Sequence, residues 1–204
     1  MSNLFDEDNL RLDFSNCPLI RPVERFDCKQ GNPSGLLPVD FVAETAECLY
    51  FIEVKDFQNP AATVERWKAD LELLATSVED KKDRKDRCSK RVRRCEDANC
   101  CRVNDCCRNG MQPEFPVKMA QKLKDSLLRR YAQGESLNKS VVFLLLINMN
   151  ALTPRERTVL YDKIRGHIPT GLKNSQFSAF NSVTFELVNA NQIKTYGIIC
   201  TTIN

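Results

Sequence analysis

Histidine is almost missing from this chain. His167 is the single copy in 204 residues, so a histidine-based nucleophile relay would have to be built around one side chain. It follows Gly166 at an expected helix end, where a cationic imidazole has a ready structural use. Glycine is scarce as well, with seven copies. None falls in a phosphate-loop or dinucleotide spacing, which leaves ATP-driven and nicotinamide chemistry without support. The longest apolar run, Val141 to Ile147, is far too short to cross a bilayer. The opening residues, Met-Ser-Asn-Leu-Phe-Asp-Glu-Asp, hold no apolar run of the kind a secretory signal needs. The expectation is therefore a reducing cytoplasm, no membrane partner and no reliance on disulfides. No Cys-x-x-Cys pair and no internal repeat occur.

What the chain does hold is unevenly spread. Six of its ten cysteines fall between Ser77 and Pro113, and Lys81 to Arg108 carries eleven basic and five acidic residues. That local charge of +6 stands against +3 for the whole chain, so the remainder is slightly acidic. A concentrated basic stretch is the footprint of polyanion binding, which makes Arg91, Arg93 and Arg94 candidate nucleic-acid contacts. Cys88, Cys95, Cys100, Cys101, Cys106 and Cys107 offer enough thiolates for a zinc site or an iron–sulfur cluster, with free thiols as the plainer alternative. With 42% hydrophobic residues, the chain has the size and the core material of one domain, residues 1–204, carrying a Cys-rich basic insertion at 77–113.

Two apolar stretches with charges inside them carry the chemistry. Gly35-Leu-Leu-Pro-Val-Asp40-Phe-Val-Ala and Leu49-Tyr-Phe-Ile-Glu53-Val-Lys55-Asp56-Phe57 are separated by the short, mostly polar Glu44-Thr-Ala-Glu-Cys48, and read as an antiparallel hairpin. If Thr45 and Cys48 flank the turn, Asp40 falls opposite Glu53, with Cα atoms about 5 Å apart on one face. Lys55, two residues on, shares that face. Two facing carboxylates repel, and a divalent cation between them removes the objection, since Mg²⁺ takes one or two carboxylates and fills its other positions with water. An ammonium beside the ion can then hold or deprotonate an attacking water and offset charge on a phosphate. Glu-x-Lys alone is a common surface pair, and Glu79-Asp-Lys81 repeats it; the apolar lead-in and the facing Asp40 set Glu53-Val-Lys55 apart.

Pro38-Val-Asp40, twelve intervening residues and Glu53-Val-Lys55 resemble the motif of the PD-(D/E)XK nuclease superfamily, with Val39 inserted between the Pro and the Asp. The resemblance implies an α/β, restriction-endonuclease-like fold, a mixed sheet flanked by helices. It implies that Asp40 and Glu53 bind Mg²⁺ or Mn²⁺ while Lys55 assists the water. It also implies an upstream Glu completing the metal site, for which Glu24 is the near candidate. The function so implied is a metal-dependent nuclease acting on nucleic acid, with DNA favoured, and homodimers are common among enzymes that cut both strands. The alternatives are a catalytically silent nucleic-acid-binding or regulatory module with a structural metal in the Cys-rich insertion, and a partner-binding subunit whose basic arm docks an acidic protein.

The other elements follow from periodicity. Asn59-Pro60 opens a helix striped by Val64, Trp67, Leu71, Leu74 and Val78. Pro116 to Tyr131 forms a second, apolar at Met119, Leu123, Leu127 and Tyr131, with Lys118, Gln121, Lys122 and Asp125 on a face suited to a nucleic-acid backbone or simply to solvent. The nuclease resemblance makes Gln121 and Lys122 candidates for the site itself. Val141 to Ile147 reads as the central buried strand. Thr153-Pro-Arg-Glu156 is a capping box for a helix ending near Gly166, and Val183 to Val188 and Ile193 to Cys200 read as two closing strands.

Overall fold

A computed structural model describes residues 3–26, 35–56, 114–135, 138–148, 154–168 and 182–203. The expected helix at 59–78, the insertion at 77–113 with its arginines and cysteines, and Thr153 lie outside the described residues. The described elements are β1 (Leu4–Glu7), β2 (Leu10–Asp13), β3 (Glu24–Arg25), β4 (Phe41–Glu44), β5 (Cys48–Asp56), α1 (Glu114–Ala132), β6 (Ser140–Asn148), α2 (Pro154–Arg165), β7 (Ser182–Val188), a 3₁₀ turn (Gln192–Tyr196) and β8 (Ile199–Thr202). Among them no helix is long and apolar enough to cross a membrane.

The class is mixed α/β. A five-stranded sheet runs in the order β3-β4-β5-β6-β7, antiparallel from β3 to β5 and parallel from β5 to β7. A separate antiparallel sheet, β1-β2-β8, covers one of its faces, and α1 and α2 cover the other. Strands buried on both faces carry nearly continuous apolar runs, and β6 does so: Phe143, Leu145 and Ile147 pack toward the helices while Leu144 and Leu146 pack toward the small sheet. The Val141–Ile147 run is interior as expected, but β5 takes the middle of the sheet and β6 lies beside it.

The hairpin register agrees with the sequence reading. Phe41 pairs with Ile52 and Val42 with Phe51, and one further step sets Asp40 across from Glu53. The turn is closed by Thr45, whose N–H donates to Cys48 O at 2.9 Å while the Cys48 N–H donates to Thr45 Oγ1 at 3.0 Å. The first strand, however, is shorter than the apolar run predicts. Residues 35–40 stay outside the ladder, and two of their amides are taken by α1: Leu37 N–H donates to Asp125 Oδ2 at 2.8 Å and Val39 N–H to Ser126 Oγ at 2.9 Å.

Three further differences have local causes. Tyr131 is 72% exposed, although Met119, Leu123 and Leu127 are buried. Each four-residue step overshoots a full helical turn by about 40°, so by the end of α1 the buried direction has passed to Arg130. Ile193 to Cys200 is not one strand. Asn189 Oδ1 accepts the N–H groups of Asn191 and Gln192 at 3.0 and 2.9 Å, which winds the chain into the 3₁₀ turn. Gly197, at φ 75°, stops it beside Asn16. The chain then enters β8, which joins the small sheet by pairing with β2. The β1–β2 hairpin itself was not foreseen. α2 ends at Arg165 with the Gly166 N–H on Asp162 O at 3.0 Å, as its sequence indicates.

Candidate active site

Three elements converge where β5 nears its C-terminal end. Asp40 sits at the bend before β4, anchored by its own backbone, because its carbonyl accepts the Phe26 N–H at 2.9 Å. Its side chain continues the ladder that the backbone abandons: Asp40 Oδ2 accepts the Val54 N–H at 2.8 Å. Glu53 follows Leu49 and Phe51 on the helix-facing side of β5, in a position that the pattern would otherwise give to an apolar residue, and is fully buried. Lys55 is the next residue on that side, with its ammonium 2.5 Å from Glu53 Oε1 and 3.9 Å from Asp40 Oδ2. It also donates to Val54 O at 2.8 Å.

The fourth member comes from α1. Lys122 Nζ reaches Glu53 Oε1 at 2.6 Å and Asp40 Oδ1 at 3.5 Å. Ser126, one turn further on, accepts from Val39 and donates to the Lys122 carbonyl at 2.8 Å. One turn of helix thus positions both the lysine and the segment leading into Asp40. With Glu53 ionised, two carboxylates and two ammonium groups form a quartet with no net charge.

Burial and the neighbouring Asp40 charge push the Glu53 carboxyl up to about 7, against the pull of Lys55 and Lys122. Burial alone would lower Lys55, but the attraction of Glu53 and Asp40 outweighs it and raises its proton affinity. Both lysines bind the same oxygen of Glu53. Its Oε2 is buried and finds no hydrogen-bond partner among the described residues, and a buried, unsatisfied carboxylate oxygen is costly.

That orphaned oxygen, beside a second carboxylate, is the observation against which a metal is tested. Among the described residues no group of three or more His, Cys, Asp or Glu side chains is placed to hold an ion. A pair of hard carboxylate donors is poor provision for zinc but suits Mg²⁺ or Mn²⁺, which keep several waters. The residues present fit such an ion.

Asp40, Glu53, Lys55 and Lys122 are therefore brought together, while the other candidates are engaged elsewhere. Gln121 Nε2 donates to Asp125 Oδ1 at 2.5 Å, supporting the carboxylate that holds Leu37. Lys118 lies on the exposed side of α1. Glu24 is on β3 and accepts from Arg130 Nη1 at 3.1 Å. It belongs to a second ionic cluster with Glu44, Glu135, Arg21 and Lys139, in which Arg130 is 3% exposed and its Nε has no hydrogen-bond partner among the described residues.

Sequence reasoning missed the acidic turn of the small sheet. Glu7 forms an ion pair with Arg25 at 3.0 Å, and Arg25 pairs with Phe41 next to Asp40. Burial and the Asp40 charge both raise the Glu7 carboxyl. Asp8, at φ 53°, accepts the Asp56 N–H at 3.4 Å, one residue past Lys55. The signal was present: Leu10-Arg-Leu-Asp alternates apolar and charged residues, and Asp8-Asn9 is a turn-forming pair. No family model, no curated protein and no solved structure matches this chain.

Proposed function

We propose that this chain is a Mg²⁺-dependent phosphodiesterase that hydrolyses nucleic acid, with DNA the favoured substrate. The observation that carries the reading is the convergence of Asp40, Glu53 and Lys55 from the two arms of the hairpin, with a buried carboxylate oxygen of Glu53 unpartnered among the described residues. The sheet supports it as well. An antiparallel run of three strands leading into a parallel run of three, with Glu53 on β5 and Asp40 just before β4, supports a restriction-endonuclease-like core.

Asp40 and Glu53 would hold the ion. When bound, it polarises the phosphoryl oxygen and lowers the pKa of a coordinated water. The protein's own work is positional. The Val54 amide fixes one Asp40 oxygen, so the carboxylate does not have to be ordered when the ion arrives. Lys55 is held by the Val54 carbonyl and keeps its proton firmly at neutral pH. It therefore acts as a donor that orients water and opposes charge growing on the phosphate, the kind of fixed electrostatic help that needs no rearrangement during reaction. Removal of a proton from water by Lys55 is disfavoured by the same affinity. The basic 81–108 segment would add sequence-independent attraction to the phosphate backbone.

The test is cleavage of plasmid, single-stranded DNA and RNA by the purified chain with Mg²⁺ or Mn²⁺. Asp40→Asn and Lys55→Ala, run beside it, should each lose at least about a hundredfold in rate. Equal cutting by all three proteins would assign the activity to a contaminant. Binding of nucleic acid without cleavage under every condition would refute the enzymatic reading and favour a silent binding module.

A further inference from the structure

We infer that Lys122 is an internal counter-ion, seated on both carboxylates in the metal-free protein, which a divalent cation must displace before the site can work. The inference rests on the metal-dependent reading above. Its geometric basis is that Lys122 Nζ contacts one oxygen of each acid, Glu53 Oε1 at 2.6 Å and Asp40 Oδ1 at 3.5 Å, the same two residues that would hold a metal.

Charge then forces a choice. With Glu53 ionised, the quartet of Asp40, Glu53, Lys55 and Lys122 is neutral, and a doubly charged ion added to it would leave two uncompensated charges beside a fully buried Glu53. Uncompensated charge at a buried site is strongly disfavoured. Departure of one ammonium halves that excess, and the two lysines are not held alike. Lys55 springs from the middle sheet strand and also donates to the Val54 carbonyl at 2.8 Å. Lys122 extends from a helix, and its ammonium bonds to the two carboxylates alone among the described residues. Its long, flexible stem lets the ammonium swing while the helix stays packed. Released beside the ion, that ammonium is available to a phosphate oxygen of the substrate, so its departure from the acids and its use on substrate are one motion.

Metal affinity is the readout, measured without substrate by calorimetric titration with Ca²⁺ and with Mg²⁺ at pH 8. Lys122→Met keeps the length of the side chain and removes its charge. It should bind either ion at least about tenfold more tightly than wild type, because a competing charge in direct contact with the carboxylates is gone. Lys122→Arg, which keeps the competitor, should stay within about threefold of wild type. A second measurement needs no variant: mass-spectrometric acetylation of the wild-type chain should show the Lys122 amine reacting several-fold faster once Ca²⁺ is added. Equal affinity in wild type and Lys122→Met, or weaker binding in the variant, overturns the inference and leaves Lys122 as a lysine that only supports the acids. Unchanged acetylation on Ca²⁺ binding overturns it too. Failure of every protein to bind either ion overturns both this inference and the metal-dependent reading, whereas binding with equal affinities overturns this inference alone.

Discussion

Glu53 makes the metal-free protein lose stability as pH rises through the neutral range. A carboxyl whose folded value is raised keeps its proton in the native state after the unfolded chain has released it. Native Glu53 titrates near 7, against an ordinary value of 4.5. Between those limits the folded state binds more protons than the unfolded one, so stability falls with rising pH; it is fully present below about 4.5 and lost by about 7. The gap corresponds to about 3 kcal/mol. For a chain of this size, a change of that order shifts Tm by roughly 6–12 °C. Lys55, whose value is also raised, acts only at much higher pH, and Glu44, which burial would raise but Lys139 and Arg21 hold down, acts only in acid. Glu7 shifts in the same direction as Glu53, so the comparison has to be with Glu53→Gln. Thermal unfolding of EDTA-treated protein from pH 4.5 to 8 should show wild type and Glu53→Gln close together at the acid end. They should diverge above pH 6, with the variant the more stable. Mg²⁺ should restore wild type at pH 8 and leave the variant nearly unmoved, by mass action on the native state. Parallel curves for the two proteins across the whole range would refute the raised Glu53 carboxyl as the source of the pH dependence.

The same structural logic makes two other residues informative. Ser126→Ala strands the Val39 amide that its hydroxyl accepts from; urea denaturation should record a loss of about 1–3 kcal/mol, and cleavage should fall as the approach to Asp40 loosens, whereas loss of stability with fully retained cleavage would separate the two roles. Arg130→Met removes the buried cation that Glu24, Glu44 and Glu135 share and should cost about 3 kcal/mol by the same assay, a neutral result meaning that Arg21 and Lys139 suffice for Glu44.

The legible part of the chain was the part governed by short-range rules. The β4–β5 hairpin, its register and the placement of Glu53 and Lys55 on one face follow from period-two alternation and a turn closed by Thr45, all within twenty residues. α1 followed from its stripe, and α2 from a capping box and the glycine past its end. What resisted reading depends on partners distant in sequence. Residues 35–40 look like strand until Asp125 and Ser126 claim their amides. Glu24 looks like a ligand until Arg130 is found beside it. Glu7 and Asp8 reach the site through partners far along the chain, Arg25 and Asp56, which no local pattern announces.

The same helix turn explains both what is open and what is blocked at the site. A strand entering at residue 35 would have used its amides on β5 and turned Asp40 into an ordinary ladder position. Because α1 takes those amides instead, the Asp40 carboxylate is left to bond the Val54 N–H and stand beside Glu53. α1 can do this only by lying close, and lying close brings Lys122 onto the two acids it helped to assemble. Preorganisation of the carboxylates and occupation of the space between them are therefore one packing arrangement. Any change that moves α1 outward to free the acids also surrenders the geometry that makes them a pair, whereas a swing of the Lys122 side chain frees them at no cost to it.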